Sequence, residues 1–276
     1  MTDMKTRKRT PKNLRLKSPQ ELALMRRAGL ICQEALAAVE ESIEPGVTTA
    51  ELDSIAERVI RSRGAEPSFK GYAVGGKVYP AATCISVNDE VVHGIPGDRE
   101  LCDGDIAGVD LGACFEGYHA DTAVTFPVGV ISAEAGHILS VASEALYAGI
   151  ERVRPGGNVT DISRAVQARV EEDGFGIVRE LVGHGVGCDL HEAPEVPNVV
   201  SPAADCVLEV GMTICIEPMI TMGSFCVKLL EDLWTYATVD GGASAHFEHT
   251  VAVTAGEPLL LTAGPDGDDS LWRVIV

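Results

Sequence analysis

The sequence predicts an α/β or α+β domain made of two similar halves, with helices on one face of a sheet. Three observations support this prediction: clear helix starts, short β-branched runs, and a series of segments that occurs twice. The chain has 276 residues, 46% of them hydrophobic and 23% charged, which is ordinary for a globular protein with a substantial core. No long linker separates the halves, so we expect one compact domain over residues 17–276.

Two helices are signalled near the amino terminus. Ser18-Pro-Gln-Glu21 places an N-cap serine three residues before a glutamate, with proline at the first helical position. An apolar periodic run follows to about Ser42, and Pro45-Gly46 ends it. Thr48-Thr-Ala-Glu51 then opens a second helix, which we expect to end near Gly64.

The same order of signals returns 110 residues later, which indicates an internal duplication. Three pairs of segments correspond: Ala35-Leu36, Pro45-Gly46 and Gly64 with Ala145-Leu146, Pro155-Gly156 and Gly174; Leu101–Asp110 with Leu208–Glu217; His93–Pro96 with His191–Pro194. Four helices follow from this repeat. Two facing halves would also place Asp110 opposite Glu217 and His93 opposite His191 across a pseudo-twofold axis.

Strands are predicted at the β-branched runs, among them Ile85–Val87 and Val251–Val253. Asp110 and Asp121 bracket a hairpin that we expect to turn around Phe115–Tyr118. We predict that the two aspartates face each other across this ladder on the same side of the sheet. Like charges in that position destabilise a hairpin unless a cation lies between them.

The formal net charge of −19 argues against nucleic acid as the main partner. Residues 1–16 are nevertheless basic, and we expect a flexible tail there, with transient contact to an anionic surface such as a ribosome as the sharper hypothesis. Eight scattered cysteines without a C-x-x-C pair suit a reducing cytoplasm. No apolar stretch reaches the ~18 residues of a membrane span. We therefore expect a soluble cytoplasmic protein, and a monomer.

Five residues stand out as potential metal ligands: Asp110, Asp121, His184, Glu217 and Glu248. Several lie in apolar runs, where a carboxylate costs several kcal/mol unless a cation or hydrogen bonds compensate it. Each residue alone has an ordinary explanation, such as a turn cap, a structural histidine or an exposed strand flank. Four carboxylates and one imidazole together are what two adjacent divalent cations require, and they predict a two-metal hydrolase.

The order of five motifs is similar to that of a known family. The motifs are Val92-His-Gly-Ile-Pro96, Asp110 to Asp121 with Gly117-Tyr-His-Ala-Asp-Thr122, Gly183-His-Gly-Val-Gly187 with Leu190-His-Glu-Ala-Pro194, Ile216-Glu-Pro-Met-Ile220, and Phe247-Glu-His-Thr250. Together they resemble the type I methionine aminopeptidases, M24-like metallopeptidases with the pita-bread fold. The resemblance runs from Lys17 to about Thr254 and implies a curved antiparallel sheet with helices on one face.

The resemblance implies two divalent metal ions per chain, with Co, Mn, Fe and Zn all open. One ion would be bound by Asp121, His184, Glu217 and Glu248, and the other by Asp110, Asp121 and Glu248. The ions would activate a hydroxide that removes the N-terminal methionine from nascent proteins and peptides with a small second residue, and the free α-amine would bind on the Asp110 side. His93, His191 and Glu217 would be catalytic, with His191 at the substrate carbonyl and Glu217 as proton shuttle. Tyr79, Cys84, His93, His191 and Trp234 would bind the substrate.

Two departures from the family pattern concern the substrate pocket. Leu190 stands where the family has a bulky aromatic residue, and the segment 71–78 is longer than usual. An aminopeptidase of the same fold with broader or X-Pro specificity therefore stays open, although X-Pro enzymes carry a large N-terminal domain for which we expect no room before His93. A non-catalytic binding module on this scaffold is the alternative from another class. Such relatives lose metal ligands, and all five are present here.

Overall fold

The computed structural model describes residues 13–274, which form four α-helices and seventeen mostly short strands. The helices are α1 (Pro19–Glu40), α2 (Thr49–Ser62), α3 (Ala133–Ile150) and α4 (Val159–Glu172). The strands of the first half are β1 (Glu66–Pro67), β2 (Ala73–Val74), β3 (Lys77–Val78), β4 (Thr83–Val87), β5 (Glu90–Val92), β6 (Ile106–Phe115) and β7 (Tyr118–Pro127). Those of the second half are β8 (Gly176–Ile177), β9 (Gly183–Gly185), β10 (Glu192–Val196), β11 (Thr213–Ile216), β12 (Met219–Thr221), β13 (Val227–Leu229), β14 (Tyr236–Thr238), β15 (Ser244–His246), β16 (Glu248–Ala252) and β17 (Leu259–Leu260).

The helix starts are those that the sequence predicts. The Ser18 side chain accepts from the Glu21 backbone N–H, and the Glu21 carboxylate accepts from the Ser18 backbone at 2.7 Å. Thr48 and Glu51 form the same capping box at α2. Because these reciprocal bonds satisfy N–H groups that have no partner inside the helix, the chain begins each helix at a defined residue.

The largest sheet is antiparallel and carries nine strands. Its main path runs β1-β6-β7-β16-β11-β9-β10, while β4 also pairs with β6 and β17 with β16. The two halves of the chain meet at its centre, where β7 pairs with β16 and Ala123 lies opposite Glu248. The β15-β12-β8 and β13-β14-β5 sheets and the isolated β2-β3 hairpin complete the strand pairing of the described residues.

The duplication is visible in individual backbone contacts. Gly46 N–H donates to the Leu101 carbonyl at 2.8 Å, and in the second half Gly156 N–H donates to the Leu208 carbonyl at the same distance. Strand registers repeat as well: Glu66–Pro67 pairs with Cys114 and Ala113, whereas Gly176–Ile177 pairs with Thr221 and Ile220. The prediction of two pseudo-symmetric halves is confirmed.

The β6–β7 hairpin corrects one expectation about the aspartates. Its two-residue turn, Glu116-Gly117, has φ of +50° and +83°, as a type I′ turn requires. With this turn Phe115 pairs with Tyr118, so Asp110 pairs with Ala123 and Asp121 with Gly112. The aspartates share one side of the sheet but are diagonal neighbours. The prediction that they directly oppose each other was wrong by two residues, because Ala123 and not Asp121 is the partner of Asp110.

The main hydrophobic core lies between the sheet and the helices. One cluster contains buried residues from all four helices together with Val109 and Leu111 of β6 and Ile214 and Ile216 of β11. Side chains of a strand point alternately to its two faces. The alternate positions therefore direct Asp110, and at the end of β11 Glu217, away from this core.

The segment before α1 is attached to the second half of the chain. Lys17 forms a buried ion pair with Glu192 at 2.6 Å, Arg15 lies 3.5 Å from Asp189, and Leu14 packs against the main core. Residues 13–16, which we assigned to the flexible tail, thus make contacts in their described positions, while residues 1–12 lie outside the described residues. Within residues 13–274 no helix is long and apolar enough to cross a membrane.

We predict that Gly29→Ala destabilises the protein strongly. A methyl group at Gly29 in α1 would lie 1.9 Å from the Leu261 carbonyl oxygen, and backbone cannot move away as a side chain can. We expect the free energy of unfolding to fall by ~3 kcal/mol in urea denaturation. Gly149→Ala in α3 is the matched control, with a loss of ~1 kcal/mol, because its methyl meets only side-chain atoms. Equal losses of unfolding free energy in the two variants would contradict the close backbone contact at Gly29.

Candidate metal centre and substrate cavity

Four acidic side chains converge from the central strands of the large sheet. Asp110 lies in β6, Asp121 in β7, Glu217 directly after β11, and Glu248 at the start of β16. Each half of the chain contributes two of them. The exposed fraction is 9% for Asp110, 4% for Asp121 and 2% for Glu248, and 12% for the Glu217 side chain.

Nothing in the described chain neutralises this charge. Within residues 13–274 no lysine or arginine forms an ion pair with any of the four carboxylates, and the imidazoles that lie within 4.0 Å of them are those of His184 and His246. Three of their oxygens, Asp110 Oδ1, Glu217 Oε1 and Glu248 Oε1, are buried without a hydrogen-bond partner among these residues. Buried polar atoms in proteins are normally paired, so these oxygens indicate a ligand that the described part of the chain does not supply.

The pKa values of the four carboxyl groups also reflect the burial of like charges. Burial raises the pKa of Asp121 to about 7, although the Thr122 backbone N–H donates to its carboxylate. Burial raises the pKa of Asp110, Glu217 and Glu248 well above the usual range, and repulsion from neighbouring carboxylates adds to it. Proton uptake is therefore one way to relieve the repulsion, and cation binding is the other.

His184 is oriented toward the carboxylates. Its Nδ1 lies 2.9 Å from the Gly185 carbonyl oxygen, so Nδ1 carries the proton and Nε2 is left as a lone-pair donor. Nε2 lies 3.6 Å from Glu217 Oε1 and 4.0 Å from Asp121 Oδ2. Burial lowers the pKa of His184 to about 3, which keeps the ring neutral as a metal ligand must be.

Glycine is required on both sides of His184 because the neighbouring strands leave no space for a side chain. A Cβ at Gly183 would lie 2.4 Å from the Cys215 carbonyl oxygen, and one at Gly185 would lie 2.2 Å from that of Ala193. β9 therefore fits between β11 and β10 only with glycine on both sides of the histidine. The Gly-His-Gly sequence brings the imidazole into the sheet at this position.

The side chains present fit a divalent cation. Potential ligand atoms of Asp121, His184, Glu248 and Cys215 all lie within 4.8 Å of one another. Carboxylate oxygens and a neutral imidazole suit borderline divalent ions. Cys215 was not among the predicted ligands, and burial followed by the charge of Glu248 raises the pKa of its thiol well above the usual value. A thiol that keeps its proton is a weak ligand, so the carboxylates and imidazole carry the affinity.

A cavity of about 720 Å³ opens beside the acidic cluster, and all ten predicted site residues line it. Tyr79, Cys84 and Leu190 are buried in one apolar cluster on its wall, with Trp234 packed against them. The rings of Tyr79 and Trp234 meet edge to face with their centroids 5.2 Å apart. Tyr79 is held in place because its hydroxyl donates to the Gly94 carbonyl at 2.9 Å.

Two further histidines lie at the cavity. The backbone of His93 has φ of +61°, a strained conformation for a residue with a side chain, and burial lowers its pKa to about 4. The His191 ring lies 4.2 Å from that of His184, centroid to centroid. His191 Nδ1 is 2.7 Å from the Tyr72 hydroxyl. If Tyr72 donates this bond, the proton of His191 is on Nε2.

Sequence reasoning missed three residues near the centre. Tyr72 contacts His191, Cys215 lies among the ligand atoms, and His246 Nε2 lies 3.8 Å from Glu217 Oε2 without a hydrogen-bond partner in the described residues. For Cys215 and His246, position was the available signal: each lies two residues from a predicted ligand in a strand, so the alternation places it on the ligand's side. Tyr72 is distant in sequence and carried no such signal.

Comparison with known proteins identifies the family. Residues 23–255 match the model of metallopeptidase family M24. The chain belongs to metallopeptidase family M24. This M24 chain is 50% identical over 238 residues to methionine aminopeptidase 1 of Bacillus subtilis, with 86% of our chain and 94% of the relative covered. It is 49% identical over 247 residues to the methionine aminopeptidase of Clostridium perfringens, with coverages of 90% and 98%.

Solved structures of M24 type agree with the fold. The crystal structure of methionine aminopeptidase from Thermotoga maritima matches with a TM-score of 0.87 and 40% identity, covering 90% of this chain and 99% of that one. Prolidase from Pyrococcus furiosus matches with a TM-score of 0.73 and 25% identity, covering 90% of this chain and 65% of the prolidase. The predicted pita-bread fold and family are confirmed.

We predict that the metal-stripped protein becomes less stable as the pH rises from 5 to 8. The folded pKa of Asp121, about 7, exceeds its ordinary value of 3.8, so the folded state binds the proton more tightly. That stability is complete below the ordinary value and is lost as pH rises through the folded pKa, by about 1 kcal/mol per pH unit for each such group.

Urea denaturation at several pH values measures this dependence. Asp121→Asn should reduce its slope, because one titrating group is removed, whereas Asp98→Asn on the surface should leave it unchanged. If the stability of the metal-stripped protein stays constant or increases over this pH range, the raised pKa of Asp121 is contradicted.

Proposed function

We propose that this chain is a methionine aminopeptidase that removes the N-terminal methionine from proteins and peptides by metal-dependent hydrolysis. The observation that carries the proposal is the buried acidic cluster with unpartnered oxygens beside a largely apolar cavity. Membership of a metallopeptidase family and about 50% identity to methionine aminopeptidases support it. The cluster draws ligands from both halves, and we infer that residues 17–276 act as one catalytic domain.

Two metal ions would share the acidic cluster. We assign Asp121, His184, Glu217 and Glu248 to one ion and Asp110, Asp121 and Glu248 to the other, so that Asp121 and Glu248 serve both. When bound, divalent cations supply Lewis-acid chemistry, lowering the pKa of water and polarising a carbonyl. We leave Co, Mn, Fe and Zn as candidates, because oxygen-rich sites with one imidazole accept all of them.

Glu217 is proposed to transfer the proton. Its carboxylate lies in the cavity wall between the imidazoles of His184 and His246, at 3.6 and 3.8 Å. Burial and Asp121 raise its pKa, so it holds a proton more readily than an exposed glutamate. It would take the proton of the attacking water and deliver it to the leaving amine.

The two cavity histidines would act on the scissile peptide. His191 would donate from Nε2 to the carbonyl oxygen as it becomes negative, with Tyr72 holding the tautomer that makes this possible. His93 would contact the scissile amide nitrogen. Its strained backbone supports this role, because such strain is concentrated at functional sites.

Methionine selectivity is assigned to the apolar wall. Tyr79, Cys84 and Trp234, with His93 beside them, would surround an unbranched side chain, and Leu190 packs in the same cluster. An apolar pocket suits a thioether, which is soft and adaptable. Since hydrophobic pockets discriminate poorly between chains of similar size, we expect preference for methionine rather than absolute exclusion of leucine.

The second candidate function is cleavage of X-Pro bonds. The likeness to the prolidase of Pyrococcus furiosus favours it, but that similarity is lower in both TM-score and identity than the likeness to the Thermotoga maritima methionine aminopeptidase. Release of proline from an X-Pro dipeptide would distinguish this function from ours. We rank it below methionine removal.

The natural substrates would be the N-termini of nascent polypeptides with a small second residue. All eight cysteines are free, three of them exposed, which supports a reducing cytoplasm as the place of the reaction. The hypothesis of transient ribosome contact depends on basic residues that lie mainly in 1–12, outside the described residues. That contact and the monomeric state stay predictions.

The proposal predicts metal-dependent release of methionine from Met-Ala-Ser. Metal-stripped protein should be inactive, and added Mn²⁺ or Co²⁺ should restore turnover, whereas Leu-Ala-Ser should be cleaved at least tenfold more slowly, as chromatography of the products measures. Comparable release of leucine would contradict methionine selectivity and leave a broader aminopeptidase. Stoichiometric metal binding without cleavage of either peptide would contradict the enzyme assignment.

Substitutions should test the roles proposed for individual residues. Glu217→Gln and His191→Ala are expected to lower kcat by about 10²–10³-fold while thermal unfolding shows a folded protein. Asp121→Asn should lose both metals in calorimetric titration, because it is the shared ligand. Asp98→Asn, an exposed aspartate outside the cavity, is the control for each measurement. Wild-type turnover in Glu217→Gln or His191→Ala would refute the assigned roles.

A further inference from the structure

The β2–β3 hairpin is a part of the cavity wall that the chemistry above does not use. Ala73 pairs with Val78 and Val74 with Lys77, around a Gly75-Gly76 turn. Both glycines have positive φ, +58° and +82°, as a two-residue turn of this kind requires. The hairpin pairs with no other strand of residues 13–274 and its four strand residues are exposed.

The base of the hairpin is formed by Tyr72 and Tyr79, which both line the cavity. Tyr79 N–H donates to the Tyr72 carbonyl at 2.8 Å, and Gly71 N–H donates to the Tyr79 carbonyl at 2.9 Å. Tyr72 contacts His191, and Tyr79 belongs to the apolar cluster of the cavity. The hairpin therefore projects from residues that surround the first residue of a substrate.

The two faces of the hairpin differ. Cross-strand partners lie on the same face, so Val74 and Lys77 share one face, and Ala73 and Val78 share the other. Val74 and Lys77 line the cavity, and Val78 is not part of its lining. Both valines are exposed, Val74 by 53% and Val78 by 60%, so their difference is one of direction and not of burial.

Other exposed apolar side chains line the same cavity. Leu229 is 44% exposed and Leu233 49%, whereas the carboxylates at the acidic end are nearly inaccessible. This gradient places Val74, Leu229 and Leu233 at the opening. A polypeptide whose first residue is held at the acidic cluster must leave through that opening, because its second and later residues continue outward.

We propose that the cavity-facing side of the β2–β3 hairpin binds the third and fourth residues of the substrate polypeptide. This inference rests on the proposed function and adds a length preference to it. Two residue pairs beyond Tyr72 and Tyr79 extend ~7 Å, the span of about two residues of an extended peptide. Val74 supplies apolar contact there, and the substrate's methionine and scissile bond do not reach it.

The test compares Val74→Asp with Val78→Asp in the full-length, metal-loaded protein. Each variant is assayed on the dipeptide Met-Ala and on the tetrapeptide Met-Ala-Ser-Val, with kcat and KM measured separately. Val74→Asp should raise KM for the tetrapeptide about tenfold, the loss expected when one valine no longer packs against the substrate. Its kinetics on Met-Ala should stay within twofold of wild type, as should those of Val78→Asp on both peptides.

A shortened hairpin provides the second variant. Removal of residues 74–77, with Ala73→Asn and Val78→Gly, leaves a two-residue turn between Tyr72 and Tyr79. This protein should cleave Met-Ala as wild type does and lose the tetrapeptide's advantage in kcat/KM. Equal effects of Val74→Asp and Val78→Asp, or equal effects on the two peptides, would overturn the inference while methionine removal stands. A wild-type protein that cleaves neither peptide would overturn both proposals.

Discussion

Burial of like charge at the centre of the sheet is the constraint on which this structure depends. Four carboxylates lie where two similar halves meet, and three of their oxygens have no hydrogen-bond donor among residues 13–274. A hydrophobic replacement would cost the fold less, since charge buried without a partner opposes folding. The glycines on both sides of His184 and its neutral imidazole therefore suit a folded protein that binds a cation better than one without it.

The remainder of the fold holds these groups at fixed distances. The helices pack on alternate positions of the strands that carry Asp110 and Glu217, so one set of residues builds the core and the other builds the site. The cavity begins at the acidic cluster and ends at exposed valine and leucine side chains. The residues proposed for the chemistry, for side-chain selection and for contact with the rest of the substrate would therefore follow one another along one cavity.

Much of this could be predicted from sequence, because the decisive signals are local or repeated. Capping boxes define α1 and α2, and the Pro-Gly breaks reveal the duplication without any coordinates. The four carboxylates that the structure brings together could be picked out because carboxylates in apolar runs are costly. The turn at Phe115–Tyr118 was predicted correctly, but the pairing of Asp110 was wrong, because a turn centred there places Asp110 opposite Ala123 and not opposite Asp121. Tyr72 was missed because its hydrogen bond to His191 joins residues that are 119 positions apart in the sequence.

The pairing of β7 with β16 determines whether the two halves of the chain meet in the correct register. Ala123 of β7 lies opposite Glu248 of β16, and this single pair of strands joins the two ligand sets. A slip of one residue at this seam would turn Glu248 toward the helices and separate the carboxylates contributed by each half. If these carboxylates bind an ion as proposed, a misregistered chain would lack the complete site. Metal binding would then stabilise only the pairing in which both halves are in register.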